Sequence, residues 1–232
     1  MSHLKRAAEL ALAGINEAML AITKLPIASS ERNALSVTLM RASMDYGRAL
    51  VLLVSIHADD FGSSAVVLHR SQLEALLRGA FFAREASDAE LTYFIEHDEM
   101  PSRCDEKGKL RRVGPKDMSV LVGGVLHVGD SKKLIAMVEN SWSLLCGMVH
   151  GGMAVFKTYH QTEIAFHLQP CEMVEIVGNA LALTQLALVG ISSVSTVEKE
   201  QFHEIAQAPH SAQRAYHEFV RANFVKGALS AV

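Results

Sequence analysis

Ala58-Asp59-Asp60-Phe61-Gly62-Ser63 separates two long helical patterns, and its reading decides the fold. Before it, over 30–57, Leu35, Leu39, Tyr46, Leu50 and Leu53 recur at helical spacing; after it a second pattern runs to about Glu85. The segment between them offers capping side chains and a glycine, so the chain turns there and the two helices form an antiparallel hairpin. The first pattern becomes apolar on most faces near its end, which places that end in a core.

Working outward, Leu4, Ala8, Leu12, Ile15, Met19 and Ile22 form one helical stripe that Pro26 ends. Downstream, Ser87-Asp88-Ala89-Glu90 has capping-box spacing for a short helix through Glu99. Further helices are expected over 117–126 and 131–149. The alternation in 153–169 suits a strand or an irregular approach to Pro170 and is left unassigned. Pro170 then opens an apolar helix to about Val194, and Ser195-Thr196-Val197-Glu198 repeats the capping-box spacing for a last helix. Between Pro101 and Lys116 lie six Lys or Arg against Asp105 and Glu106, with Gly108, Gly114 and Pro115. Such a segment buries little apolar surface, so 101–116 is expected to be an exposed, flexible basic loop inserted in a single domain of residues 1–232.

Composition agrees with an all-α helical bundle: half the residues are apolar, while aromatics are only 6%. A net charge of −3 gives no field that would attract nucleic acid or an anionic membrane to the whole surface. Cys104, Cys146 and Cys171 are odd in number and form no C-x-x-C pair, which fits a reducing compartment, and no signal-peptide core precedes them. The apolar runs at 49–56 and 176–191, the second broken by Asn179 and Gln185, read as buried helices instead of spans. The chain is therefore expected to be cytoplasmic, without a membrane partner.

No phosphate loop, G-x-G-x-x-G, G-x-S-x-G or H-E-x-x-H pattern is present, and there is no Glu-x-x-His pair for a di-iron bundle. His150, His160 and His167 with Glu163 match no named zinc spacing, so neither metal nor cofactor is expected. Two segments carry the candidate chemistry. In Val66-Val67-Leu68-His69-Arg70-Ser71-Gln72-Leu73-Glu74-Ala75-Leu76-Leu77-Arg78, the residues Arg70, Glu74 and Arg78 are four apart, share a helix face and can form charge pairs. His69 falls instead on the apolar stripe of Leu73, Leu76 and Ala80, as a partly buried, hydrogen-bonded histidine. In Ser141-Trp142-Ser143-Leu144-Leu145-Cys146-Gly147-Met148-Val149-His150-Gly151-Gly152, Trp142 is the only tryptophan, and two glycines after His150 leave its ring accessible at a helix end. His150 is the candidate general acid or base, because imidazole titrates near neutrality.

Together these segments resemble uncharacterised bacterial all-helical proteins related to the HEPN superfamily, in which an Arg-x-x-x-Glu helix, here Arg70 and Glu74, precedes a distant helix ending in histidine, here His150. The resemblance implies an RNA-linked or nucleotide-binding protein with a defence or toxin-antitoxin role that works as a homodimer. HEPN ribonucleases cleave RNA without metal, using an arginine a little over one helical turn ahead of the histidine. In this chain Ser143, Leu144 and Leu145 occupy those positions, so the catalytic pair is incomplete. The expected ligand-binding set is Arg70, Glu74, Arg78, Trp142 and His150, with Arg70, Glu74 and His150 sharing a polar pocket and a nucleotide, RNA or partner protein as ligand. The competing reading is a non-catalytic interaction module in which the charge ladder is structural and apolar helices form a dimer interface.

Overall fold

The computed structural model describes residues 2–127, 131–150 and 169–225. Its helices are α1 (Ser2–Ile22), α2 (Glu31–Ala80), α3 (Asp88–His97), α4 (Pro115–Leu121), α5 (Ser131–Val149), α6 (Pro170–Ser192) and α7 (Lys199–Val220), with π-helical turns at Phe81–Glu85 and Arg221–Val225. The fold is an all-α bundle. The unassigned stretch 153–168 lies outside the described residues.

α2 is not one rod. At His57 the backbone leaves the helical region, with φ −151° and ψ 88°. Contacts across this break show that its two arms, 31–56 and 58–80, run antiparallel: Ser43 Oγ donates to Gln72 O at 2.8 Å, and Gly79 lies against Met40 and Ser36. The hairpin expected from the sequence is present, but its turn is a single sharp break rather than the stretch 58–63. Small residues make the close approach possible. A Cβ on Gly79 would stand 2.6 Å from Met40 Cγ and 3.0 Å from Ser36 O, and Gly47 similarly leaves no room for a Cβ beside Gln72.

Packed against the hairpin is α6, with Pro170 in its first turn and Glu172 accepting from Gln169 N at 2.8 Å. Gln72 Nε2 donates to Ala180 O at 2.8 Å, so an amide in the middle of the second arm ties it to α6. By length and hydropathy, 23 residues at 1.7, α6 could cross a membrane, yet 61% of that apolar window is buried. Its neighbours are α2 and α1, which makes it the core helix of the bundle. α1 lies between α6 and α7. The Tyr216 hydroxyl of α7 donates to Val174 O at 2.7 Å, and burial raises the pKa of that phenol. α7 starts at Lys199 with Glu198 as N-cap, so the spacing at 195–198 does not form a capping box. Ser195 Oγ donates instead to Ser192 O, at the end of α6.

The basic segment folds into an antiparallel hairpin of β1 (Ser102–Cys104) and β2 (Leu110–Arg112), instead of an irregular loop. Asp105 accepts from the backbone N–H of Lys107 and Lys109, and Gly108 at φ 73° closes the turn. The hairpin is held to α3 by Arg103, which donates to both oxygens of Glu90, at 2.7 and 2.8 Å, and to Glu85 O at 2.8 Å. The hydrogen bonds from Arg103 hold the Glu90 carboxyl down to about 2. Ser87 and Glu90 also form the expected capping box of α3. Arg103, Arg111 and Arg112 are thus paired, with Glu90, Asp105 and Glu99, which the count of lysines and arginines alone does not reveal.

Two stability predictions follow from the hairpin of α2. Gly79→Val overpacks the contact with Met40 and Ser36, and a loss of about 1–3 kcal/mol, several degrees of melting temperature, is expected. Gly124→Ala, with nothing within 4 Å of the added methyl, is the control that leaves calorimetry unchanged. His69 is buried, with Nδ1 3.4 Å from Gln72 Oε1, and burial lowers its pKa from 6.5. Below pH 6.5 the unfolded chain therefore binds a proton that the folded chain refuses. The stability associated with neutral His69 is complete above that pH and declines as pH falls toward the lowered folded value, by at most about 1.4 kcal/mol per pH unit. Urea midpoints measured from pH 8 to 5 should show this decline, and His69→Gln should flatten it.

Candidate functional site

The rotation of the second arm of α2 is set by Gln72 and the apolar residues around it. Gln72, Leu73 and Leu76 are buried, and at 100° per residue Arg70, Glu74 and Arg78 stand roughly 160–240° around the helix from Gln72. Glu74 sits between the two arginines. Its Oε2 lies 3.4 Å from an Arg70 terminal nitrogen, and its Oε1 accepts a hydrogen bond from Arg78. The ladder is neither core nor free surface: the side chains of Arg70, Glu74 and Arg78 are 19%, 22% and 32% exposed.

α5 covers part of this face. The Arg70 guanidinium carbon is 4.9 Å from the centroid of the Trp142 ring, a cation–π distance. Among the described residues, the Nε atoms of Arg70 and Arg78 are both buried without a hydrogen-bond partner. An unmatched buried donor costs about 1–3 kcal/mol, so the arrangement holds two cations, one carboxylate and unsatisfied hydrogen-bonding capacity. Four of the five expected site residues are therefore brought together: Arg70, Glu74, Arg78 and Trp142.

His150 is not. Trp142 of α5 reaches Arg70, and the helix continues to Val149. His150 is eight residues beyond Trp142, about 12 Å along the helix axis. It is exposed, and its backbone N–H donates to Cys146 O at 3.0 Å. Among the described residues no hydrogen bond or ion pair joins it to Arg70 or Glu74. Gly151, Gly152, His160, Glu163 and His167 lie outside the described residues. Among those described, no three His, Cys, Asp or Glu side chains are grouped to hold a metal.

Other arginines are more fully engaged. A cleft of about 550 Å³ between the β-hairpin and α4 is lined by Arg103 and Arg111. Arg103 is paired with Glu90, and Arg111 lies 3.2 Å from Asp105. A second cleft, of about 720 Å³, is lined by Arg32 and Arg84. Arg32 donates to Phe82 O and Ala86 O and pairs with Asp88, closing the π-helical turn. Arg84 donates to Ser193 O. The roles of Gln72 and Arg32 were missed in the sequence; a glutamine inside an apolar helical stripe is the one signal that could have singled out Gln72.

Residues 40–215 match DUF6988, a family of unknown function. No curated protein and no solved structure matches the chain. The family match begins in the first arm of α2, ends within α7 and includes Arg70, Glu74, Arg78, Trp142 and His150. It spans well over half of the sequence, and this chain belongs to the DUF6988 family.

Proposed function

We propose that this chain is a cytoplasmic, HEPN-like helical protein that binds a phosphate-bearing ligand, a nucleotide or RNA, at the Arg70–Glu74–Arg78 ladder beside Trp142. The observation that carries the reading is the imbalance at the ladder: one carboxylate serves two partly buried guanidinium groups, and each guanidinium keeps a buried Nε–H without a partner among the described residues. Phosphate oxygens match the arginine fork in geometry and charge, and a tryptophan ring offers a flank for a base. The HEPN likeness rests on Arg70, Glu74 and His150 in their order along the chain. Binding is the function proposed; proton transfer by His150 would require a ligand that extends about two helical turns from Arg70.

Trp142 supplies the test, because it is the only tryptophan and touches Arg70. Adenosine monophosphate or a short oligoribonucleotide should change its fluorescence in a saturable way. Arg70→Ala should weaken that binding at least about tenfold, the scale of one charge-assisted contact, without changing the far-ultraviolet circular dichroism. An unchanged affinity in Arg70→Ala would remove the ladder from the reading.

A second reading, a helical homodimer acting as an interaction module, is favoured by a different observation. Leu52, Ile56 and Phe61 are 44%, 58% and 39% exposed. They sit at the closed end of the α2 hairpin, with Leu52 and Ile56 one helical turn apart. Light scattering during size exclusion should then report about twice 25.2 kDa, and Ile56→Glu should return the protein to a monomer. A wild-type monomer at micromolar concentration would rule this out.

A further inference from the structure

We infer that Glu74 is a built-in competitor for the bound anion, and that it reserves the two arginines for a terminal phosphate, a phosphomonoester, over the internal phosphodiesters of a nucleic-acid chain. This rests on the binding reading above and says which phosphate the site takes.

Arg70 and Arg78 are eight residues apart, about 12 Å along the helix, yet both reach toward one carboxylate midway between them. Glu74 therefore holds the place a bridging anion would take. Its grip is unequal. The Arg78 contact is a close hydrogen bond, whereas the 3.4 Å approach to Arg70 is a loose ion pair. Arg70, already at cation–π distance from Trp142, is thus the arm that an incoming ligand engages first. The Glu74 side chain is 22% exposed, so the carboxylate has a route to water when it is displaced.

Charge then discriminates between ligands. With Glu74 in place the cluster carries two positive charges and one negative. An internal phosphodiester brings one negative charge, the same as the carboxylate it must displace, and exchanging one for the other gains little. A phosphomonoester brings about −1.5 to −2 near pH 7 and three acceptor oxygens, so it outcompetes Glu74 and can also meet donors that the carboxylate leaves unmatched. Removing the negative charge of Glu74 should strengthen binding of both kinds of phosphate and narrow the difference between them.

Trp142 fluorescence reads this directly, with three probes: adenosine monophosphate, a short oligoribonucleotide with a 5′-phosphate, and the same oligonucleotide ending in 5′-hydroxyl. In the wild-type protein the two phosphomonoester probes should bind at least about tenfold more tightly than the hydroxyl-ended chain. Tight binding of the phosphorylated oligonucleotide but not of the mononucleotide would assign the terminal phosphate to RNA, and the reverse to a free nucleotide; either keeps the preference for a monoester. In Glu74→Gln all three should bind more tightly, the hydroxyl-ended chain most, so the preference shrinks. Glu74→Ala should give the same ordering and guards against a folding defect specific to one variant. Equal binding of all probes to the wild type, or weaker binding by both Glu74 variants, overturns the competitor role while leaving phosphate binding at the ladder intact. No binding of any probe to any of the three proteins overturns both.

Discussion

The rest of the structure depends on the side chain of Gln72. Its amide nitrogen donates to Ala180 O in α6, while its backbone carbonyl accepts from Ser43 Oγ in the first arm of α2. One residue therefore ties together three helical segments. A buried amide has to find these partners or lose several kcal/mol of solvation, so it specifies register more sharply than a leucine would. Thr184 Oγ1 lies 3.5 Å from the same nitrogen and bonds to Ala180 O itself, which leaves little freedom for α6 to slide.

Fixing Gln72 inward has a consequence on the far side of the helix. Because the second arm is rigid, Arg70, Glu74 and Arg78 must emerge opposite α6, on the face where α5 lies. The candidate site is thus positioned by the core. Gly47 enforces the same arrangement from the first arm, since a side chain there would occupy the place of the Gln72 amide. Substitutions at Gln72 or Gly47 are expected to act on the ladder through helix rotation, even though neither residue touches it.

This division also explains what was legible in the sequence. Local rules read well: the Ser87–Glu90 capping box, Pro170 at the start of α6 and the four-residue spacing of the ladder all depend on neighbours within a turn or so. The antiparallel hairpin was legible too, because two long amphipathic patterns joined by a short turn have few other ways to bury their faces. Features set by distant partners were not. The meeting of Trp142 with Arg70 joins residues 72 positions apart. The β-hairpin was obscured for a related reason, since Glu90 and Glu99, which neutralise Arg103 and Arg112, lie outside the segment whose charge was counted.

The charged ladder is not what packing alone would select. Leucine or methionine at 70 and 78 would cover α5 without any buried donor to satisfy, and replacing partly buried ion pairs by apolar groups is often neutral or stabilising. The chain instead carries two guanidinium groups whose Nε atoms lack partners among the described residues, in a bundle whose other conspicuous arginines close hydrogen bonds to carbonyls or carboxylates. Arg32 and Arg103 show what a structural arginine looks like here: each donates to at least one main-chain carbonyl and to a carboxylate on another element. Arg70 and Arg78 make no such cross-element hydrogen bond among the described residues. They share a glutamate from their own helix and, for Arg70, the face of a tryptophan. A local carboxylate that neutralises half of the charge leaves the site short of one anion, and that shortfall is the physical basis for placing ligand binding at this face instead of in the clefts beside Arg103 and Arg32.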